Sequence, residues 1–129
     1  MSEKSDIHLS RRERQIMDIV YRRGEASAAE VLGELPEPPS YSAVRAMLRI
    51  LEDKGHLTHQ RIANRYVYSP KRSRREAGRS AVQRLLRTFF DGSTEQAVAA
   101  LLEAADTSPS SKELDRMAHL IEQARKEGR

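Results

Sequence analysis

The sequence predicts a mainly α-helical protein with one small antiparallel β-hairpin, divided into two modules. Apolar residues recur at helical spacing in six segments of the 129-residue chain. Between the third and the fourth segment lie two short runs of β-forming residues. Near Ser69, Pro70 and Lys71 these runs give way to an arginine-rich sequence, which indicates a boundary between modules. We therefore expect one domain over residues 1–70 and a helical domain over residues 71–129.

Five of the six helix starts carry a capping signal. A serine hydroxyl accepts a hydrogen bond from a free amide of the first turn, and a Glu or Gln three residues later reaches back to the serine amide. The pairs with this spacing are Ser10 and Glu13, Ser27 and Glu30, Ser73 and Glu76, Ser93 and Gln96, and Ser110 and Glu113. Five matches, each followed by an apolar stripe, indicate helix starts far better than a single match would.

The first two helices each offer one apolar stripe for burial. The first helix stops at Gly24 and the second before Pro36, and both residue types commonly end helices. The stripes consist of Ile16, Ile19 and Val20 in the first helix and Val31, Leu32 and Leu35 in the second.

The third helix has two distinct faces. Ser40 is its predicted cap, and its inward stripe consists of Val44, Met47, Leu48 and Leu51 before Gly55. Its opposite face consists of Tyr41, Ser42, Arg45, Ala46 and Arg49. Such a face fits a DNA major groove, because Arg can bond both O6 and N7 of guanine and small side chains allow a close approach. For an isolated helix an ordinary solvated face would be the better interpretation. The elements next to the helix therefore decide between a solvated face and a DNA-binding face.

A hairpin follows the third helix directly. Leu57–Ile62 and Tyr66–Ser69 are the predicted strands, and Asn64 in the connection tolerates the left-handed backbone that a tight turn needs. Arg61 and Arg65 flank the tip, where they can contact phosphates or enter a minor groove.

Tyr66 and Tyr68 share one face of the second strand, and we expect both to pack against the helices rather than to stack on bases. Three helices followed by a two-stranded hairpin, with basic residues on the third helix and at the hairpin tip, match the plan of a winged helix-turn-helix.

The chain resembles the penicillinase-repressor family, the BlaI/MecI type of bacterial transcriptional repressor, from Leu9 to about Glu127. The stretches that carry the resemblance are SRRERQIMDIVY (10–21), SYSAVRAMLRILEDKG (40–55) and RYVYSP (65–70). The resemblance implies a homodimer whose amino-terminal winged helices bind double-stranded DNA at a dyad-symmetric operator. It also implies repression of antibiotic-resistance or stress genes, and release when a membrane sensor-protease system triggers cleavage in the dimerisation region.

The chain departs from the family pattern at three places. Ala43 and Ala46 stand where family members usually carry threonine, so the usual operator sequence does not carry over. The scissile Asn-Phe pair of the family aligns with about Ala100-Leu101, so the standard cleavage signal is missing. The related copper-responsive repressors use Cys-x-Cys pairs, and this chain has no cysteine.

The segment that joins the two domains is strongly basic. Residues 71–90 hold seven basic and one acidic side chain, whereas residues 91–129 hold five and eight. The basic residues are Lys71, Arg72, Arg74, Arg75, Arg79, Arg84 and Arg87. Three roles are open for these residues. They can contact phosphates that flank the DNA groove, with Arg72 as the first such contact. They can also pair with the acidic tail of a partner subunit, or form an ordinary solvated face.

The carboxy-terminal helices predict a homodimer. Three short amphipathic helices cannot hide all their apolar positions within one chain, whereas a second copy would bury them. The predicted dimerisation residues are Leu85, Leu86, Phe89, Val98, Leu101, Leu102, Leu114, Met117 and Ile121, and Val82, Ala105 and Ala118 belong to the same stripes.

The sequence offers no enzyme, metal or cofactor site. Its six glycines stand apart from one another, so no phosphate-binding loop is present, and the lack of cysteine excludes thiolate zinc sites and cysteine nucleophiles. The histidines are His8, His56, His59 and His119, whose spacing does not suit a metal, and we expect them at the surface. Carboxylates fall at capping, charge-pairing or solvent-facing positions.

The longest apolar run, Ala97 to Leu102, is far too short to cross a membrane, and the first residues are charged and polar, so we expect a cytoplasmic protein. Two other functions stay open on the sequence. One is a winged-helix module that binds an acidic protein partner. The other is a ligand-responsive regulator of the MarR kind, with a pocket between the modules.

Overall fold

A computed structural model describes residues 9–104, 106 and 108–128. Its elements, in chain order, are α1 Arg11–Arg23, β1 Ala26–Ser27, α2 Ala28–Glu34, α3 Tyr41–Asp53, β2 Leu57–Ile62, β3 Arg65–Pro70, α4 Arg74–Phe89, α5 Thr94–Ala104 and α6 Ser111–Lys126. The predicted fold class is confirmed, because helices dominate and the strands form one small antiparallel sheet. His8 and Ala105, which the sequence analysis named, lie outside the described residues.

The chain divides into two compact units, the first extending to Ala81 and the second starting at Val82. The division falls within α4. The predicted boundary between residues 70 and 71 stays a prediction.

The helix starts follow the predicted capping chemistry. Each of the five predicted serine hydroxyls accepts a hydrogen bond from the amide three residues later. The reciprocal bond is present at α1 and α2, where the Ser10 and Ser27 amides each donate to a glutamate oxygen at 2.9 Å. Ser40 caps α3 by accepting from the Ala43 amide at 3.1 Å. These caps fix where the first three helices begin.

Glu13 links the start of α1 to the end of α3. Its side chain is buried, and Lys54 Nζ donates to its two oxygens at 3.0 and 3.3 Å. Burial raises the pKa of Glu13, but the hydrogen bond from the Ser10 amide and the charge of Lys54 outweigh burial and lower it. The carboxylate is therefore more stable in the folded chain than in water.

The core of the first unit uses the predicted stripes. The predicted residues of α1 to α3 that are buried are Ile16, Ile19, Val20, Val31, Leu35, Val44, Leu48 and Leu51. Leu32 and Met47 are partly buried against this cluster. Leu57 at the start of β2 and Tyr68 of β3 complete it, so the hairpin is anchored to the helices at its base.

The sheet has the strand order β1-β3-β2. The predicted hairpin is confirmed, with Ile62 opposite Arg65 beside the turn. Ala63 and Asn64 both have positive φ angles, 50° and 65°, as the two central residues of a type I′ turn require. The sequence analysis did not predict β1, which pairs Ala26 with Tyr68. Two residues are too short to show alternation, and the capping signal of Ser27 dominates there.

Two predictions of exposure were wrong. Tyr68 is buried as expected, but Tyr66 is 47% exposed, because it lies two residues nearer the tip, where the helices no longer cover the strand. His56 is buried rather than at the surface. Its amide donates to the Leu51 carbonyl of α3 at 2.9 Å, and its carbonyl accepts from the amide of Lys71, directly after β3, at 3.0 Å. The backbone of His56 is therefore held by the end of α3 and by the end of the hairpin.

The second unit contains the end of α4 together with α5 and α6. No residue of α4, α5 or α6 is buried in the single chain. Phe89 is 72% exposed and Leu101 is 69% exposed, so the predicted stripes are present but largely uncovered within one chain. In the part of the chain that the structure describes, no helix combines the length and apolar character needed to cross a membrane.

Candidate nucleic-acid interface

The outward face of α3 is positioned by its buried face. Val44, Leu48 and Leu51 are completely buried, so the residues on the other side of the helix must face away from the core. All five residues predicted for DNA contact on α3 are exposed, namely Tyr41, Ser42, Arg45, Ala46 and Arg49. The exposed face of α3 is therefore basic, and small side chains lie beside its arginines.

Arg12 holds the loop that leads into α3. Its guanidinium donates to the carbonyls of Pro36 at 2.8 Å and Glu37 at 3.0 Å. Glu37 has a φ of 46°, a conformation that costs energy for a side-chain-bearing residue. The two hydrogen bonds stabilise this turn and with it the direction of α3. Sequence analysis missed this contact, since nothing in the local pattern links Arg12 to a loop 24 residues away.

A groove of about 370 Å³ lies between the first half of α3 and the hairpin. Four of the eight residues predicted to contact DNA meet in its lining, which consists of Tyr41, Arg45, Arg61 and Arg65 together with Ser27, Ala28, Ala29, Asn64, Tyr66 and Tyr68. The guanidinium carbon of Arg45 stands 5.9 Å from the centre of the Tyr41 ring. Three guanidinium groups around one groove favour a polyanion over a neutral ligand.

The other predicted residues lie elsewhere. Ser42, Ala46 and Arg49 are exposed on α3 but are not part of the groove lining. Arg72 is partly buried at the start of α4, where its guanidinium donates to the Glu76 carbonyl at 3.2 Å and to Ser80 Oγ at 2.8 Å. These bonds fasten Arg72 to the first turns of α4.

Two arginines of α1 are used inside the first unit. Arg22 pairs with Glu34 at 3.0 Å, and Arg23 pairs with Glu34 at 2.6 Å and with Glu30 at 2.7 Å. The hydrogen bonds from Arg23 and Arg22 lower the pKa of Glu34. Arg22 and Arg23 are therefore neutralised by carboxylates of α2.

A side-chain hydrogen bond that the sequence did not predict connects α3 with the hairpin. His59 Nδ1 of β2 lies 2.7 Å from a carboxylate oxygen of Glu52 near the end of α3. The rings of Tyr66 and Tyr68 stand 4.6 and 5.6 Å from the imidazole, between centroids. Burial raises the pKa of the Tyr68 hydroxyl. The only sequence signal was strand alternation, which places His59 on the same face as both tyrosines.

The second unit carries an apolar groove of about 270 Å³ between α4 and α5. Its lining consists of Val82, Leu85, Leu86, Phe90, Ala97, Ala100, Leu101 and Ala104. Leu85, Leu86 and Leu101 are predicted dimerisation residues. Of the other predicted dimerisation residues, Met117 is partly buried, and the exposed ones are Phe89, Val98, Leu102, Leu114 and Ile121.

Comparison with known proteins was made for the sequence and for the fold. A search of curated proteins found no match. Among solved structures, the chain is similar to Bordetella bronchiseptica BpsR, described with the mechanism by which 6-hydroxynicotinic acid regulates its DNA binding. The identity is 14% and the TM-score is 0.49, and the match covers 92% of this chain and 76% of that chain. The family profile described as Penicillinase repressor matches residues 9–123. The resemblance seen in the sequence is thereby confirmed, and the chain belongs to the penicillinase repressor family.

Proposed function

We propose that this protein is a homodimeric transcriptional repressor whose two winged helices bind a dyad-symmetric DNA operator. The observation that carries the proposal is the groove in which Arg45 of α3 and the wing arginines Arg61 and Arg65 come together. Membership of a family of DNA-binding regulators, which are not enzymes, supports it.

The third helix would enter the major groove. Arg45 and Arg49 are one helical turn apart on its exposed face, so their guanidinium groups can reach neighbouring guanines. Ser42 and Ala46 are small enough to let the helix approach the base edges. Because Val44, Leu48 and Leu51 on the opposite side of α3 are completely buried, the direction in which the helix presents this face is set before DNA binds.

The hairpin would act as the wing. Arg61 and Arg65 flank a tight turn, where they can contact backbone phosphates or an adjacent minor groove. The basic start of α4 would add phosphate contacts outside the groove, with Arg72 among them. Contacts of this kind position the protein and carry no base preference, so they would strengthen binding to every sequence.

The domain over residues 71–129 would join two copies of the chain. Leu101 is 69% exposed and Ile121 is 58% exposed, and the groove between α4 and α5 is lined by apolar residues. A second copy is the occupant that this surface fits best, because it supplies the same exposed stripes and makes the protein two-fold symmetric. Two α3 helices about 34 Å apart then match successive turns of DNA.

The protein would act in the cytoplasm, where it blocks transcription of antibiotic-resistance or stress genes until a signal releases it. The family resemblance makes a membrane sensor-protease system the candidate for that signal. Such cleavage would need a bond other than the Asn-Phe pair of the family, because Ala100 and Leu101 stand at that place, inside α5.

Selection of binding sites from random DNA duplexes tests the proposal. We expect enrichment of a dyad-symmetric site that binds with nanomolar affinity and with a steep dependence on salt, because several phosphate contacts release counterions. Recovery of no dyad would contradict the repressor function and favour a module that binds an acidic protein.

A further inference from the structure

We propose that Glu52 and His59 form a latch that holds the wing at a fixed angle to the recognition helix α3, and that operator affinity depends on it. This inference rests on the proposed DNA-binding function and extends it to two residues outside the groove lining. Neither residue is assigned a contact with DNA. Both act by positioning the wing.

The geometry joins α3 to the hairpin at a point beyond the buried base of the hairpin. Glu52 is near the last turn of α3, and His59 is the third residue of β2. The imidazole Nδ1–H donates to the carboxylate, with Nδ1 2.7 and 2.8 Å from its two oxygens. Leu57, two residues before His59, is fully buried, so the latch lies where the strand leaves the core.

The latch continues toward the wing tip through Tyr66. The imidazole is 4.6 Å from the Tyr66 ring between centroids, and Tyr66 is the cross-strand partner of Arg61. Since Arg61 lines the groove, a change in the position of His59 is passed to a guanidinium that faces the proposed DNA. The half-exposed Tyr66 has no place in the core and is explained by this role.

The ring of His59 is held from two elements. Glu52 of α3 accepts the hydrogen bond from the imidazole Nδ1–H, and the rings of Tyr66 and Tyr68 of β3 lie 4.6 and 5.6 Å from the imidazole between centroids. Loss of either the carboxylate or the imidazole should therefore loosen the wing.

Three variants isolate the pair. His59→Gln removes the imidazole and Glu52→Gln removes the carboxylate. Asp53→Asn is the matched control, because it removes a negative charge one residue further along α3. Circular dichroism tests whether each variant is folded. If His59→Gln is not folded, Glu52→Gln serves as the test in its place. Both side chains are about one-third exposed, so we expect the two latch variants to bind the selected operator about fivefold more weakly. Asp53→Asn should bind no more weakly than the wild type.

A second readout separates positioning from a general loss of stability. In an Arg61→Ala, Arg65→Ala background, His59→Gln should cause no additional loss, because there is no wing contact left to position. The same loss in the wing-deficient background, or wild-type affinity of both latch variants, would each overturn the inference.

Failure of the proposed function would be seen separately, as a wild-type protein that selects no operator. In that case amide hydrogen exchange of the wing tests whether the latch holds β2 and β3. Faster exchange of β2 and β3 in both latch variants but not in Asp53→Asn supports the latch, and unchanged exchange overturns it.

Discussion

Replacing Arg45 by alanine is the sharpest single test of how the protein selects DNA. Arg45 is exposed on α3, lines the groove to the wing and stands 5.9 Å from the Tyr41 ring. If it bonds O6 and N7 of a guanine, its loss should weaken operator binding and relax the base preference at one position of each half-site.

The structure separates the cost in binding from the cost in folding. The contact with Tyr41 is at the surface, so its loss should lower the free energy of unfolding by no more than about 1 kcal/mol. A bidentate contact with a base is stronger and should cost about 1–3 kcal/mol in binding. This corresponds to an increase of about 5-fold to 160-fold in Kd per lost contact, at unchanged fold.

Fluorescence anisotropy with the selected operator and with a scrambled duplex measures both effects. Arg22→Ala is the matched control, because it removes an arginine of α1 that pairs with Glu34 at 3.0 Å. Arg45→Lys keeps the charge but loses the planar fork, so it should lose base preference while keeping the salt dependence. An equal loss on operator and scrambled DNA for Arg45→Ala would show a phosphate contact and refute base recognition.

Four further predictions concern the dimer, the linker, the pH dependence and the turn. Leu114→Asp and Ile121→Asp should each give monomers in sedimentation velocity and abolish tight operator binding, because a charge would enter an apolar interface; a monomer that binds normally would contradict the dimer. Arg72→Ala should weaken binding to operator and random DNA alike, and a loss confined to the operator would count against a phosphate contact. Glu13→Gln should lower the free energy of unfolding in urea by about 1–2 kcal/mol at neutral pH. Because the folded state lowers the pKa of Glu13, the difference from wild type should vanish as the pH falls well below about 4, and a constant difference would argue against the buried carboxylate. Ala63→Gly should raise stability by about 0.5–1 kcal/mol, since residue 63 has a φ of 50°, and an unchanged thermal melt would be the contrary result.

Local signals in the sequence were sufficient for most of the secondary structure. A serine cap, an apolar stripe and a terminating residue all act within a few residues of each other, so α1 could be delimited from Ser10 to Gly24. The hairpin was equally accessible, because Asn64 and the β-forming runs on either side are local. The strand β1 was missed, since the strand with which it pairs is β3, some 40 residues later.

The candidate site was predictable in its residue types but not in its supporting contacts. The exposed residues of α3 follow from the helical period, and Arg61 and Arg65 follow from their place beside the turn. Arg12 could not be assigned to the loop before α3, because its bonds to Pro36 and Glu37 depend on how α1 and that loop pack. The position of His56 likewise depends on a segment distant in sequence, because its carbonyl accepts a hydrogen bond from the Lys71 amide after β3.

The most direct test of the central claim is guanine methylation interference on the selected operator. If two copies of the chain place their α3 helices in successive major grooves, methylation of guanine N7 should block binding in two clusters about 10 base pairs apart. Arg45→Ala should remove the same guanine from both clusters. Interference confined to one cluster, or protection of the minor groove and backbone with no sensitive N7, would contradict the account.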